Sequence, residues 1–372
     1  MKILYLTPNF KNYSAAYYQY DLIYSLQNKI EVILWGPGYK DFDSSLTLEN
    51  IFNKFNLTEK DILIVGHGWL SDIPVNSNLK QRYSWNKSLN EDIIYNLEYC
   101  GVYNFSAHKG KKICILNKEY VLLSEKLQFI KNGKFDLALS HYSNCEEFEK
   151  DTDTKFIFFP CSVDHLKFQN KFNYSDHLNK KYDLCFSGLL QNPYIKSLNN
   201  DSFSLRKKIQ SNLFYEIFQI PLINKYQNKR SIFWNAYSDN SKLNKLLKIL
   251  GKYKKLTFKE YINMFKDSKA TLNTLSPYNL IGPRYFESMI SGSVNFCQKS
   301  KYYSKIFREF EHFVPFKSDL SDFKEMFNFA TSDSVDIKNI IEASYTLVVE
   351  NHTYDIRAQN IIMYAKKLIN NN

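Results

Sequence analysis

The sequence predicts an α/β protein built from two consecutive doubly wound halves, and three observations carry that expectation. Short apolar runs alternate with segments of helical period from the N-terminus onward, the signature of a parallel sheet covered by helices. The alternation pauses in a polar stretch, 161–181, and then resumes. At 372 residues the chain is long enough for two domains of ordinary size. Two such halves imply Rossmann-like domains facing across a cleft, with the chemistry in loops that follow strands.

The first half, 1–160, opens on the apolar run Lys2–Thr7, which Pro8 and Asn9 end. Tyr17, Tyr20, Ile23, Tyr24 and Leu26 recur at helical spacing within Ser14–Asn28. Strands are expected at Glu31–Trp35, Asp61–Val65, Lys112–Leu116, Asp136–Ser140 and Lys155–Phe159. Helices are expected between them at Leu46–Phe55, Leu89–Glu98, Glu119–Lys131 and Asn144–Lys150. Cys161–Lys181 shows no apolar periodicity and reads as a linker. The second half, 182–350, starts with strand Tyr182–Ser187, closed by Gly188. Helix Ser204–Phe218, strand Ser231–Trp234, helices Lys242–Leu250 and Phe258–Lys269, and strand Ala270–Asn273 follow. A late strand at His312–Pro315 and helices Leu320–Phe329 and Ile337–Val348 complete it. The segment 351–372, with helix Tyr354–Ile369, reads as a C-terminal helix able to cross back to the first half.

A formal net charge of +11 points toward anionic partners: a nucleic acid, an anionic membrane face or a phosphorylated substrate. Composition discounts that inference. Only six of the 49 basic residues are Arg, and the wealth of Lys, Asn, Ile, Tyr and Phe is what an AT-rich coding sequence gives. Each Arg gains interest in return, because a guanidinium binds phosphate bidentately and an ammonium does not. The six cysteines form no CxxC and no metal-like spacing, which suits buried thiols in a reducing compartment. The N-terminal apolar run is too short for a signal peptide, and no stretch approaches 18 apolar residues. A cytoplasmic protein is expected, with contact at the inner membrane face left open.

The most informative stretch is Ser276–Gln298, read as a loop, a short helix and a strand. Pro277 and Gly282-Pro283 mark the loop, and Pro283 suits a helix start because its missing N–H costs nothing there. Arg284 and Glu287 lie three apart and so share one edge of the helix. A guanidinium with free backbone N–H groups, from Gly282 onward, can hold phosphate, while the carboxylate takes ribose hydroxyls. The bland alternative is an amphipathic αβ unit with a surface Arg–Glu pair. Gly188, after the first strand of the second half, lets a diphosphate approach the backbone, and Arg206 can reach a phosphate from the next helix. The fingerprint GxGxxG is absent, against a nicotinamide-dinucleotide enzyme. In the first half, His67 in the strand-end loop Gly66-His67-Gly68-Trp69 is a candidate base. His108 and His141 are lesser candidates. Asp151-Thr152-Asp153 has the form of a metal-binding DxD but sits in the charged run EEFEKDTDTK before a strand, so a solvated loop is expected and no metal is assigned.

Taken together, these residues resemble the GT-B glycosyltransferases, in particular the group-1 class (family four) and its CgeB-like relatives. The resemblance rests on KDSKATLNTLSPYNLIGPRYFESMISGSVNFCQ, on FIFFPCSVDHLKF and on HTYDIRAQNII, and covers Lys155–Ile369. It implies that Glu287 holds the ribose of a nucleotide sugar, that Arg284 lies near its diphosphate, and that Gly188 follows the first strand of the donor domain. His67 matches the acceptor-side loop. A second glutamate that retaining members carry eight residues earlier is here Asn279, which can bond a sugar hydroxyl but cannot bear charge. The implied reaction is metal-independent sugar transfer from a UDP- or GDP-sugar to a glycan, lipid-linked or protein acceptor, with no further cofactor. Two alternatives remain open: a glycosyltransferase acting on modified DNA bases, and a non-catalytic carbohydrate-binding protein.

Overall fold

The computed structural model describes residues 1–9, 17–66, 103–117, 119, 123–168, 177–191, 205–206, 208–209, 231–238, 256–276 and 279–370. The chain divides into two compact units, Met1–Ser162 with Thr353–Asn372, and Val163–His352.

The first unit is built on a six-stranded parallel sheet of order β2-β1-β3-β4-β5-β6. Its strands are β1 (Ile3–Leu6), β2 (Val32–Trp35), β3 (Ile62–Val65), β4 (Lys112–Ile115), β5 (Leu137–Ser140) and β6 (Lys155–Phe158). β1, β3, β4 and β5 are buried at every position, which explains why they read as unbroken apolar runs and not as alternating ones. Helices α1 (Tyr17–Gln27), α2 (Leu48–Lys54) and α3 (Leu123–Gly133) intervene, with the short α4 (Glu149–Thr152) before β6. The C-terminal helix Tyr354–Asn370 belongs to this unit: Tyr354, Ala358, Ile361 and Ala365, at helical spacing, pack into the same core as Ile3, Leu22 and Ile64. Arg357, on the same helix, donates from Nε to the Pro160 carbonyl at 2.8 Å.

The second unit holds a five-stranded parallel sheet of order β11-β10-β9-β7-β8. Its strands are β7 (Tyr182–Gln191), β8 (Ile232–Ser238), β9 (Ser268–Asn273), β10 (Val294–Gln298) and β11 (Val314–Phe316). Its core joins Leu184, Phe186, Leu272, Phe296 and Phe316 to Ile337, Ile340 and Ile341 of helix Val335–Asn351. The two parallel α/β sheets are those expected from the alternation of runs.

Three expectations change. The stretch read as a linker carries the short helix α5 (His165–Phe168), and Phe168 is fully buried against Tyr261 and Phe265. Glu119 stands outside α3: it is buried, and one carboxylate oxygen accepts from the Ser140 hydroxyl and the His141 amide, both at 2.7 Å. A single glutamate ahead of a helical pattern gives no sign of that distant pairing. Asp151 and Asp153 are exposed on the end of α4, Asp153 as its left-handed cap (φ 58°), so they stand in a helix terminus and not a loop. The expected helices Leu89–Glu98 and Lys242–Leu250 lie outside the described residues, as does most of Ser204–Phe218. No helix among the described residues is long and apolar enough to cross a membrane.

His108 supplies a test of the first unit. Its ring packs on Phe52 at 4.5 Å, and burial followed by the charge of Lys112 pushes its pKa down to about 4. Above its ordinary value of 6.5 the imidazole is neutral folded or unfolded and contributes nothing. Between 6.5 and about 4 only the unfolded chain takes the proton, so stability falls as the pH is lowered. Wild type is expected to lose roughly 1–2 kcal/mol more than His108→Gln between pH 7 and 4.5, the partial exposure of the ring keeping the loss below the full linkage. Denaturant titrations at the two pH values measure it, and equal losses would remove the assignment.

Candidate nucleotide-sugar site

The candidate residues of the second unit converge around helix α7 (Arg284–Ile290), which lies between β9 and β10. Six of its seven residues are buried, Arg284 being the exception. Its end is set by a left-handed Gly292 (φ 69°): the Gly292 amide bonds the Met289 carbonyl, and the Ser293 amide the Ser288 carbonyl. A side-chain network fixes the helix on the sheet. Asn295 on β10 donates to the Tyr285 carbonyl at 2.9 Å, and its oxygen accepts from Ser288 and Asn273, both at 2.6 Å. The Tyr285 and Tyr303 hydroxyls meet at 2.8 Å.

Glu287 sits in this packed setting at 1% exposure. A carboxylate so placed costs several kcal/mol unless it is bonded. Tyr261, in the first turn of α6 (the helix Phe258–Lys266), donates its hydroxyl to Glu287 Oε2 at 2.7 Å. The start of α6 is held by a reciprocal cap between Thr257 and Glu260, so the phenol is carried on an ordered turn. Burial, and next the charge of Glu287, hold the Tyr261 phenol well above its ordinary pKa, while Arg284 pulls it down. Tyr261 therefore remains a neutral donor at physiological pH.

Arg284 leads from the helix toward β7. A Cβ built on Gly188 would lie 3.0 and 3.3 Å from the two terminal guanidinium nitrogens, so the glycine is what admits them. The guanidinium carbon stands 5.6 Å from the centre of the Phe186 ring, and that of Arg206 stands 5.9 Å from the same ring. Phe186 is stacked in turn on Trp234 at 4.6 Å. Arg206, 6% exposed, donates to the Thr274 hydroxyl and carbonyl. Arg284 Nε is buried and has no hydrogen-bond partner. Two guanidiniums beside one aromatic ring, one with a buried N–H that has no hydrogen-bond partner, are chemically suited to an anion.

The remaining candidates fare differently. Gly282 borders open space, with no atom within 4 Å of a Cβ built there. The sequence reading has N–H groups from Gly282 onward available to phosphate. The amides of Tyr285, Phe286 and Glu287 close onto the carbonyls of Gly282 and Pro283, so these three do not stand free for phosphate. Asn279 adopts a left-handed backbone (φ 56°) in the loop before the helix, a conformation Asn tolerates better than most residues. His67 lies outside the described residues. His141, in the first unit, bonds the Phe159 carbonyl through Nδ1 at 2.6 Å. Burial opposes its charge, but Cys161, Glu119 and that carbonyl outweigh it and raise the imidazole to about 9. Among the described residues, no three His, Cys, Asp or Glu side chains group as metal ligands. Tyr261, Phe186 and Thr274 were not legible as site residues, since each acts through a partner at least 26 residues away or through an aromatic face that reads simply as core.

Residues 233–363, which include Arg284 and Glu287, match the family described as glycosyl transferase-like. No curated protein matches the chain. Among solved structures, a sucrose-phosphate synthase from Thermosynechococcus elongatus is similar with a TM-score of 0.60 at 10% identity, over 100% of both chains. A glycosyltransferase from Rickettsia africae gives 0.55 at 10% identity, over 100% of this chain and 99% of the other. The Anabaena protein HepE in complex with UDP and glucose gives 0.52 at 9% identity, over 99% and 100%. The GT-B fold and group-1 glycosyltransferase resemblance read from the sequence therefore stand.

Proposed function

We propose, taking this GT-B glycosyltransferase architecture as premise, that the protein transfers a sugar from a nucleotide-sugar donor to an acceptor hydroxyl. The observation that carries the reading is Arg284: its guanidinium is admitted by Gly188, its buried Nε lacks a partner, and it stands one turn from the buried carboxylate of Glu287. In this reading Glu287 accepts hydrogen bonds from the ribose, and Arg284 with Arg206 holds the diphosphate. As the bond from the anomeric carbon to the diphosphate breaks, negative charge grows on the leaving oxygen, and the guanidiniums stabilise it where it develops. That positive charge is the basis for reading the transfer as metal-independent. UDP is the favoured nucleotide and GDP the other, with support from the UDP and glucose in the HepE complex. Hexosyl transfer to a glycan, lipid-linked or protein acceptor follows, in the cytoplasm or at the inner membrane face. Asn279, beside the donor loop, bonds a sugar hydroxyl, and His67 serves as acceptor-side base.

The test is release of nucleoside diphosphate from a panel of UDP- and GDP-sugars. Release with at least one donor, lost on Glu287→Ala, is expected. Binding without release from any donor would replace the enzyme with a carbohydrate-binding protein. Duplex DNA retained in a strongly salt-dependent manner would instead favour transfer to DNA bases.

A further inference from the structure

We infer that Asn295 is a positioning residue of this site: from β10 it sets the rotation of helix α7, and so the places of Arg284 and Glu287. The inference rests on the nucleotide-sugar reading above. Asn295 is 1% exposed, and the two ends of its amide meet different partners. The nitrogen donates to the Tyr285 carbonyl at 2.9 Å, and the oxygen accepts from the Ser288 hydroxyl and the Asn273 amide, each at 2.6 Å. A carbonyl only accepts, so the end of Asn295 that faces it is the nitrogen, and the oxygen is left to the two donors. The Ser288 hydroxyl also stands 3.0 Å from the Tyr285 carbonyl, so the three groups close on one another. Tyr285 and Ser288 directly follow Arg284 and Glu287 in the chain. Each gripped residue of the helix is therefore the neighbour of a residue proposed to hold the donor. Asn273 ends β9, which pairs with β10, so the grip is tied to two strands of the sheet.

The consequence concerns rotation. Phe286, Met289 and Ile290 are fully buried, but apolar burial has no direction and holds the helix down better than it stops it from turning. The helix is seven residues long, and Pro283 at its start gives it no side-chain cap. The bond between the Tyr285 and Tyr303 hydroxyls holds the far end of a side chain, whereas Asn295 holds the helix backbone. A group about 6 Å from a helix axis moves about 1 Å for each 10° of turn, and a displacement of that size costs about 100-fold in a rate. Arg284 and Glu287 ride on one helix, so one amide fixes both.

The experiment compares kcat/KM on the best donor of the panel in wild type and Asn295→Val, at a temperature where calorimetry finds both folded. Valine suits a strand, is close in size and removes all three bonds. A loss of about 30- to 100-fold is expected; full activity would overturn the inference. A double-variant cycle separates positioning from general damage. Placed on Arg284→Lys, Asn295→Val is expected to cost at most about 5-fold more, because the group it would misplace is already gone. The same factor on both backgrounds is the mark of a structural role and would overturn the inference. Ser288→Ala carries the test where Asn295→Val fails to fold. It removes one bond to Asn295 and little volume; a loss of about 3- to 10-fold supports the inference and no loss overturns it. If wild type neither binds nor turns over any nucleotide sugar, the donor reading fails and the inference with it. If Arg284→Lys and Glu287→Gln impair turnover and Asn295→Val does not, the inference alone fails.

Discussion

Replacing Glu287 by alanine is expected to weaken nucleotide binding by about 100-fold, the largest single-site effect on affinity in this protein. The size follows from two hydrogen bonds between a ribose diol and a charged acceptor in a setting closed to water, each worth roughly 1.5–3 kcal/mol and not fully additive. The buried position sharpens the effect, because at 1% exposure water does not replace the lost carboxylate. The same change leaves the Tyr261 hydroxyl without its acceptor and opens a small cavity, so a stability loss of roughly 1–3 kcal/mol accompanies it. Glu287→Gln separates the two effects: the shape is kept and a carbonyl still accepts from Tyr261, but the charge is gone. Calorimetric titration with UDP and GDP measures both variants at a temperature where each is folded. An unchanged dissociation constant for Glu287→Ala would dismiss the ribose assignment.

Arg284→Lys is expected to lower kcat/KM by about 100- to 1000-fold with little effect on stability. Removing one donor aimed at a developing oxyanion costs about 2.7–4 kcal/mol in comparable sites. The lysine is not a conservative replacement, since a single ammonium cannot make the planar, paired contact of a guanidinium with a diphosphate. Stability should hold because Arg284 is only partly buried and its Nε makes no hydrogen bond for the fold to lose. A smaller change reaches the same group from the other side. Gly188→Ala places a methyl 3.0 Å from an Arg284 terminal nitrogen and 3.3 Å from the buried Phe186 ring, so it displaces the flexible guanidinium and presses on a core aromatic. It should weaken donor binding and lower the unfolding transition slightly. Initial-rate kinetics on the best donor of the panel check both variants. Full activity in Arg284→Lys would remove Arg284 from the leaving-group site.

The sequence by itself determined the order of the described strands and singled out the residues proposed for the site. The fully buried strands β1, β3, β4 and β5 read as continuous apolar runs, and the other described strands as shorter apolar stretches between breakers; Arg284 and Glu287 stood out as charge beside such runs, whereas Gly188, expected to close the first strand of the second half, lies inside β7 and pairs with Ala236. Local rules reach that far because they depend on neighbours within a few positions. What only the tertiary structure decided is which charges face which. The Tyr261 bond to Glu287 spans 26 positions, the approach of Arg284 to Gly188 links two strands' worth of chain, and the partnership of Arg206 with Thr274 spans 68. Hydrogen bonding also decided that the amides of Tyr285, Phe286 and Glu287 serve their own turn. No periodicity encodes such pairings. They arise when helix α7 packs onto the sheet over β9 and β10, where a carboxylate cut off from water must find a donor.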